Sequence, residues 1–445
     1  MRQELNAVPV IGWCERPLKD LGRLIGGGTP SRSQPSYWSG RIPWASVKDF
    51  SDHAVFLTDT AEQISHEGLA SSASTLVPEN TPVICTRMAV GRCALTTQPT
   101  AINQDLKALL LTKDVDRRFF IRLLRYHGPT LDRVSVGSTV RGITLGDLLS
   151  LKLGYPETKQ EQSRIAAVLD TVDEAIAKTE AVISKLKQVR AGLLHDLLTR
   201  GLDENGQLRD PIAHPEQFQD SPIGRIPRGW NFESLGARLQ RNAGIIQTGP
   251  FGSQLHACEY TIDGVPVVMP QDIVEGGFDD ANIARIATTK AEELRRHRLR
   301  LGDLVFARRG DLSRCSAVTE REIGWLCGTG CLLMRFEQVT LLPSWLSLAY
   351  RHDFGQRQIA ERAVGTTMVN PNTTLLAHLI FAFPTKEKQE EIVQQMADAD
   401  ALIQTESTYL DKLNLLKSAL MADLLTGRVR VPDLAVKSLG MTEVK

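Results

Sequence analysis

The residues of this chain best able to do chemistry are its arginines. Arg295, Arg296, Arg298, Arg300, Arg308, Arg309 and Arg314 crowd together in the second half, while Arg32, Arg41, Lys48, Arg87, Arg92 and Arg141 are scattered through the first. A guanidinium donates two parallel hydrogen bonds, a geometry suited to phosphate oxygens and to the guanine edge. Thr29, Ser31, Ser33, Gln254, His256, Gln271 and Asn370 lie among turn residues and could add directional contacts to base edges. The plainer alternatives are that ELRRHRLR is a solvated helix face, and that arginines beside apolar runs hold loops in place.

Catalytic patterns do not accompany these residues. The chain has no GxxxxGK[ST] phosphate loop, and its Gly26–Gly28 run lacks GxGxxG spacing and reads as a turn. The DPPY type of tetrapeptide, with which amino-methyltransferases grip a flipped base, is missing, and NPNT at Asn370 does not replace it. Cys327 and Cys331 have no second ligand pair, so they read as buried thiols rather than a zinc site, and His256 with Cys258 is no better. No Ser, His and Asp arrangement has a recognisable context. The expectation is a binding protein, not an enzyme. With 42% hydrophobic and 23% charged residues the composition is that of a globular protein, and a formal net charge of zero argues against one that coats nucleic acid indiscriminately but not against a local basic face. No apolar run approaches the roughly 20 residues of a membrane span. MRQELNAVPVIGW has no signal-peptide core, and seven cysteines without a regular framework fit reduced thiols. A cytoplasmic protein of two or more domains is expected from these 445 residues.

The elements that must position the arginines are written twice. TKQEQSRIAAVLDTVDEAI begins at Thr158, and TKEKQEEIVQQMADADALI begins 227 positions later at Thr385. Lys185, Leu186, Leu193, Asp196, Leu197, Leu198 and Thr199 recur as Lys412, Leu413, Leu420, Asp423, Leu424, Leu425 and Thr426. Outside the helices, Trp13 matches Trp230, Pro43 matches Pro266, Asp49 matches Asp272, Arg87 matches Arg309 and Arg92 matches Arg314. VGST at Val136 matches VGTT at Val364. The order is kept throughout, so the chain is an internal duplication. Each copy opens on turn-separated, strand-like runs such as LVPENTPVICT and RCALTT, and DRRFFIRLLRYHG follows as a helix. Each closes on a long helix. Ile165, Leu169, Val172, Ile176, Ile183, Leu186, Leu193 and Leu197 step by four and three along the first. Ile392, Met396, Ala399, Ile403, Leu410, Leu413, Leu420 and Leu424 do so along the second. Even the interruptions coincide, Thr179 and Arg190 against Glu406 and Lys417. Two equal heptad seams in one chain predict that they pair with each other rather than bury separately.

Two diverged blocks, each closed by a helix carrying K-x-x-Q-x-x-I, resemble the specificity subunit of type I restriction–modification systems. The words GGGTPSRSQPSYWSGRIPWASVKDF, INQDLKALLL, TGPFGSQL, LLTRGLDENGQLRDP and HPEQFQDSPIGRIPRGW agree as well, and the resemblance covers essentially the whole chain. It implies an α+β fold: two mixed α/β target recognition domains separated by two long helices that form an antiparallel coiled coil. The domains then fall at 1–156 and 226–384, the spacer helices at 157–200 and 385–427, a turn-rich linker at 201–225 and a tail at 428–445. The resemblance further implies double-stranded DNA, two adenine methyltransferase subunits and restriction (translocase) subunits as partners, and no membrane. S-adenosylmethionine, ATP and Mg belong on those partners, with no cofactor in this chain. Base-contacting residues vary with the target in such proteins, so none is carried over. The candidates remain Thr29, Ser31, Arg32, Lys48, Arg87, Arg92, Arg141, Gln254, His256, Gln271, Arg308, Arg309, Arg314 and Asn370. The runs Gly26–Ser31 and Thr248–Leu255 differ, which implies two different half-sites. A helix of about 42 residues spans roughly 63 Å at 1.5 Å per residue. That is ample for two domains in successive major grooves about 34 Å apart. The alternative is a stand-alone bipartite DNA-binding regulator that needs no partner for tight binding.

Overall fold

The computed structural model describes residues 10–51, 54–135, 141–363 and 372–431. Each copy of the repeat forms a mixed α/β domain around two main sheets. In the first domain one sheet has the order Gly22–Gly26, Leu106–Leu111, Pro82–Cys85, Cys93–Thr96, Phe56–Leu57. The other has the order Glu62–Ile64, Ile42–Ala45, Thr100–Ile102, Thr75–Val77. The second domain repeats the plan with Ile245–Thr248, Cys331–Arg335, Leu304–Ala307, Cys315–Ala317 in one sheet. Tyr260–Thr261, Ala284–Ile286, Val265–Val268 and Leu326–Cys327 make the other. Strands buried on both faces, such as Pro82–Cys85 and Leu304–Ala307, are continuous apolar runs rather than alternating ones. A helix covers each core. Asp116 caps Arg117–Tyr126 by accepting from the Phe119 N–H at 2.9 Å, and Phe119, Phe120, Leu123 and Leu124 are buried. Pro343 opens Pro343–Arg351, which buries Trp345, Leu346, Ala349 and Tyr350.

The K-x-x-Q-x-x-I segment fastens each long helix to its own domain. Gln162 is fully buried. Its Oε1 accepts the Asp116 N–H at 2.8 Å, and its Nε2 donates to the Pro156 carbonyl at 2.9 Å. Gln389 repeats this, accepting from Leu342 N–H at 2.8 Å and donating to the Thr340 and Pro384 carbonyls, each at 3.0 Å. One turn earlier, Lys159 reaches the Lys113 carbonyl (2.8 Å) and Lys386 the Gln338 carbonyl (3.0 Å). One turn later, Ile165 and Ile392 are wholly buried. An amide supplies both donor and acceptor for backbone groups that have lost water, which an apolar side chain cannot do.

The central helix is Lys159–Thr199 and the distal helix Lys386–Leu424. The chain divides into two compact units, each holding one mixed α/β domain with half of each long helix: residues up to 181 with those from 408 onward, and residues 182–407. Within the first unit Arg430 pairs with Glu161 and Lys417 with Asp173 (2.7 Å). Ascending the central helix from 161 to 173 therefore descends the other strand from 430 to 417, and the pairing is antiparallel. Within the second unit Arg190 pairs with Asp400, with Nη2 to Oδ2 at 2.9 Å, and Lys388 donates to the Asp203 carbonyl at 2.7 Å. The sense is again antiparallel. Ile165, Leu169, Val172, Ile183, Ile392, Met396 and Leu413 are buried, while Ile176, Leu186, Ile403 and Leu410 are half-buried. A shift of 227 carries Asp173 to Asp400 and Arg190 to Lys417, so the seam interruptions Arg190 and Lys417 are one repeated ion pair.

Each long helix also ends in the same way. Gly201 has φ +64°, and a Cβ there would lie 2.7 Å from the Trp230 ring. Gly427 has φ +73°, and a Cβ there would lie 2.9 Å from Trp13. This accounts for the matched tryptophans. The turn-rich stretch between central helix and second domain is ordered, with Phe218–Ser221 paired to Gly224–Pro227 and Leu202, Phe218 and Ile226 buried. Replacing Gln389 by Ala strands three buried backbone groups, so stability of the second unit should fall by about 3 kcal/mol. Urea unfolding followed by tryptophan fluorescence checks this, and Gln389→Glu should rescue little because a buried charge cannot donate.

Candidate nucleic-acid interface

The antiparallel strand order brings chain reversals to one edge of the larger sheet in each domain. In the first domain Gly26, Leu106, Cys85 and Cys93 share that edge, because Lys107 faces Gly26, Leu106 faces Cys85 and Cys93 faces Ile84. Three segments leave it: 27–34, 86–92 and 103–105. A fourth, 46–50, joins them because Ala45 pairs with Ile102 in the neighbouring sheet and accepts the Asn103 N–H at 3.0 Å. In the second domain the edge residues are Thr248, Ala307, Cys315 and Cys331, and the segments are 249–255, 308–314, 328–330 and 269–272. The close fit of these segments needs glycine. A Cβ on Gly27 would lie 2.0 Å from the Ile102 carbonyl oxygen, and one on Gly249 2.0 Å from the Gly328 oxygen.

Most of the sequence candidates meet here. Thr29, Ser31 and Arg32 lie on the first segment, exposed. Thr29 Oγ1 donates to Gln104 Oε1 at 2.5 Å, and Ser31 and Ser33 hydroxyls are 2.8 Å apart. Arg32 forks onto Glu62, Nη2 to Oε2 at 2.9 Å, and lies 3.6 Å over the Trp38 ring centre. That hydrogen bonding holds the Glu62 carboxyl below the usual range. Lys48 is exposed on a short turn whose Asp49 accepts the Ser46 N–H at 2.7 Å. Asp272 accepts the Met269 N–H at 2.8 Å in the other copy, so the matched aspartates cap the same turn, and burial raises the Asp272 pKa. Exposed Gln271 sits on that turn. Gln254 Oε1 accepts from Phe251 N–H (3.1 Å) and Arg296 Nη2 (3.4 Å), and His256 is exposed just beyond. Arg141 braces Asp132 at 3.1 Å. Asn370, with VGST and VGTT, lies outside the described residues.

The two matched arginine pairs separate. Arg92 Nη1 donates to the Phe50 carbonyl at 3.4 Å, and Arg314 Nη1 to the Gln271 and Ile273 carbonyls at 2.8 and 3.1 Å. Each ties its hairpin to the capped turn. Arg87 and Arg309 project from the hairpins, exposed; Arg87 has a loose 3.7 Å contact with Asp105. Arg308 is half-buried beside Arg309. The ELRRHRLR run is a bend rather than a helix face: Thr288–Glu293 ends before a single turn at Arg295–His297. His297 is buried there, and desolvation with Arg296 alongside pushes it down to about 4. Sequence reasoning missed Gln104 and Lys107, although both lie in INQDLKALLL. Lys107 Nζ donates to the Gln104 carbonyl at 3.1 Å, and burial with neighbouring Arg87 lowers its pKa. Cys327 and Cys331 are buried thiols, and desolvation pushes Cys327 up to about 12. Among the described residues no cluster of His, Cys, Asp and Glu could hold a metal, and no helix is long and apolar enough to cross a membrane.

Residues 11–188 match the family model for the Type I restriction modification DNA specificity domain. That match places a type I DNA specificity domain in the first copy of the repeat and the start of the central helix. It is 25% identical over 236 residues to the type I restriction enzyme MjaIX specificity subunit of Methanocaldococcus jannaschii, covering 52% of each chain. It is 22% identical over 356 residues to the EcoBI specificity subunit of Escherichia coli, covering 76% of this chain and 72% of that one. The MjaX relative from M. jannaschii matches at 28% over 47% of this chain and 49% of its own length, so the chain spans about half the length of the M. jannaschii relatives it matches here. Among solved structures, the type I S subunit from M. genitalium superposes with a TM-score of 0.54 at 16% identity, covering 95% of this chain and 98% of that one. A chain from a structure of type I R-M complex assembly and conformational transition gives 0.59 at 14%, covering 94% and 99%. These likenesses establish the duplicated α+β fold with its paired long helices. In this chain, Arg309→Ala should leave thermal stability unchanged and lower the salt slope of DNA binding by about one. Arg314→Ala should instead cost about 1–2 kcal/mol of stability, since it releases two carbonyl contacts. Salt-titrated binding and thermal melts of the two variants distinguish these roles.

Proposed function

We propose that this chain is a specificity subunit that reads a bipartite, asymmetric DNA target, one half-site with each recognition edge. Two adenine methyltransferase subunits and restriction subunits dock on it. The carrying observation is that one four-segment edge occurs twice on a duplicated helix pair, with the same braces but different exposed residues. Equal braces fix equal poses, and unequal side chains read unequal words. The catalytic work, with S-adenosylmethionine, ATP and Mg, belongs to the partners. This chain contributes binding and spacing. Two readers joined rigidly multiply their selectivities, which a single reader of a few base pairs cannot match. Genome-wide mapping of adenine methylation in a host carrying the chain and its methyltransferase tests this. A two-part motif with a fixed gap is expected. Exchanging residues 13–156 for another member's should change one half only, and a change in both halves would refute independent reading.

The spacer helices favour docked partners over a stand-alone regulator. Val182 and Val189 are exposed one heptad apart on the central helix, and Leu402, Tyr409 and Leu416 are exposed at the same interval on the distal helix. Val182 and Val189 correspond to Tyr409 and Leu416 in the repeat. A solvated two-helix coil has no use for a second apolar stripe, whereas a partner helix buries it. Val189→Glu and Leu416→Glu should therefore leave the melting temperature unchanged within a few degrees while reducing methyltransferase co-purification by at least about tenfold. Co-purification at wild-type yield would remove the stripes from the account.

A further inference from the structure

Both recognition edges are polar and cationic except at one exposed apolar tip in each. Met88 is 60% exposed and Phe251 is 54% exposed. Met88 is the apex of a three-residue turn closed by the Ala89 N–H donating to the Arg87 carbonyl at 2.7 Å. Its φ of +62° lies in the left-handed region that side chains rarely adopt. The matching position of the other copy, directly after the matched arginine, is Gly310 with φ +74°. Glycine is thus the relaxed solution for this turn, and methionine occupies it against the backbone preference. The turn is also held. Met88 N–H donates to the Arg141 carbonyl at 2.9 Å, and Ile143 N–H to the Thr86 carbonyl at 3.0 Å.

Phe251 provides the tip of the second edge from a different segment. Its N–H donates to Gln254 Oε1 at 3.1 Å, and its carbonyl accepts the Gln254 and Leu255 N–H groups at 2.8 and 3.2 Å. Aligning Gly27 with Gly249 places Thr29 opposite Phe251. The first edge therefore has Thr29 and Met88 where the second has Phe251 and Gly310. Strain or tight bracing that displays an apolar group beside arginines has no folding benefit, since neither side chain is covered. A duplex offers such a group few apolar surfaces among its phosphates, and in the major groove the accessible one is the thymine methyl.

We propose that Met88 and Phe251 are specificity-determining residues, each contacting a thymine methyl in the half-site of its own domain. The proposal rests on the half-site reading above. The test uses the assembled complex with its methyltransferase subunits, carrying Met88→Gly or Phe251→Ser. Met88→Gly suits the backbone, so the variant should melt no lower than wild type. It should relax discrimination about tenfold at one T·A pair of the first half-site and leave the second unchanged. Phe251→Ser should do the reverse. Target duplexes with uracil in place of thymine at that pair lack only the methyl, so wild-type binding should weaken about fourfold. Binding by Met88→Gly should be indifferent to the same replacement in the first half-site. An unchanged motif in both variants overturns the proposal, as does relaxation without uracil sensitivity. If the wild-type complex methylates no bipartite motif, the half-site reading itself has failed.

Discussion

The register of the antiparallel helix pair is the constraint on which the rest depends. Apolar seams alone tolerate slips by whole heptads, because each Leu or Ile meets a similar neighbour after seven residues. Arg190 and Lys417 remove that freedom. Their side chains are mostly covered, at 12% and 22% exposure, and each has its aspartate at one register only. After a slip a charged group would face apolar side chains without a partner, and an unpaired buried charge costs several kcal/mol. The register is reinforced from the domains. In the first unit Arg122, itself buried, reaches Asp170 and also Asp173 at 2.6 Å, the carboxylate that Lys417 holds. In the second unit Arg190 also meets Glu275 at 2.8 Å, and Arg351 approaches that glutamate at 3.3 Å.

From the helices the constraint passes to the reading edges through a few polar contacts. Gln162 and Gln389 fix where each helix starts relative to the loop before its domain's covering helix. Arg92 and Arg314 then fix each hairpin against its capped turn. These contacts are the same twice, although the segments they hold differ in sequence. The arrangement explains how a target word could change without disturbing the fold: the side chains of Thr29, Met88, Phe251 and Arg309 are exposed, while Gln162, Gln389, Ile165 and Ile392 beneath the domains are buried.

Much of this was legible in the sequence, and for a physical reason. Helix seams repeat in register because every seam residue has a partner in the other copy. The matched tryptophans, aspartates and arginines were likewise visible as pairs. Their roles were not, since Arg314 braces carbonyls some forty residues away and Trp230 covers Gly201 across a polar stretch. That stretch read as a linker because its turns outnumber its apolar residues, yet Leu202, Phe218 and Ile226 suffice to bury a hairpin. For ELRRHRLR the sequence leaves a solvated helix face open as the plainer alternative, but His297 and Leu299 turn inward where a helix would have continued. Met88 carried no signal at all. Its interest lies in a backbone angle, and sequence types do not encode a strained angle at a residue that ordinarily avoids it.

The account's central claim is that the paired helices set the distance between the two words of the DNA target. The most direct measurement inserts one heptad after Ile176 and another after Ile403, then maps the methylated motif. Both insertions lie between the Asp173–Lys417 and Arg190–Asp400 pairs, so seam and ion pairs survive in phase. The helices lengthen by about 10 Å. The account predicts that both half-site words persist while the gap between them grows by about one to three base pairs, with reduced activity. An active variant that methylates at the original gap would contradict it.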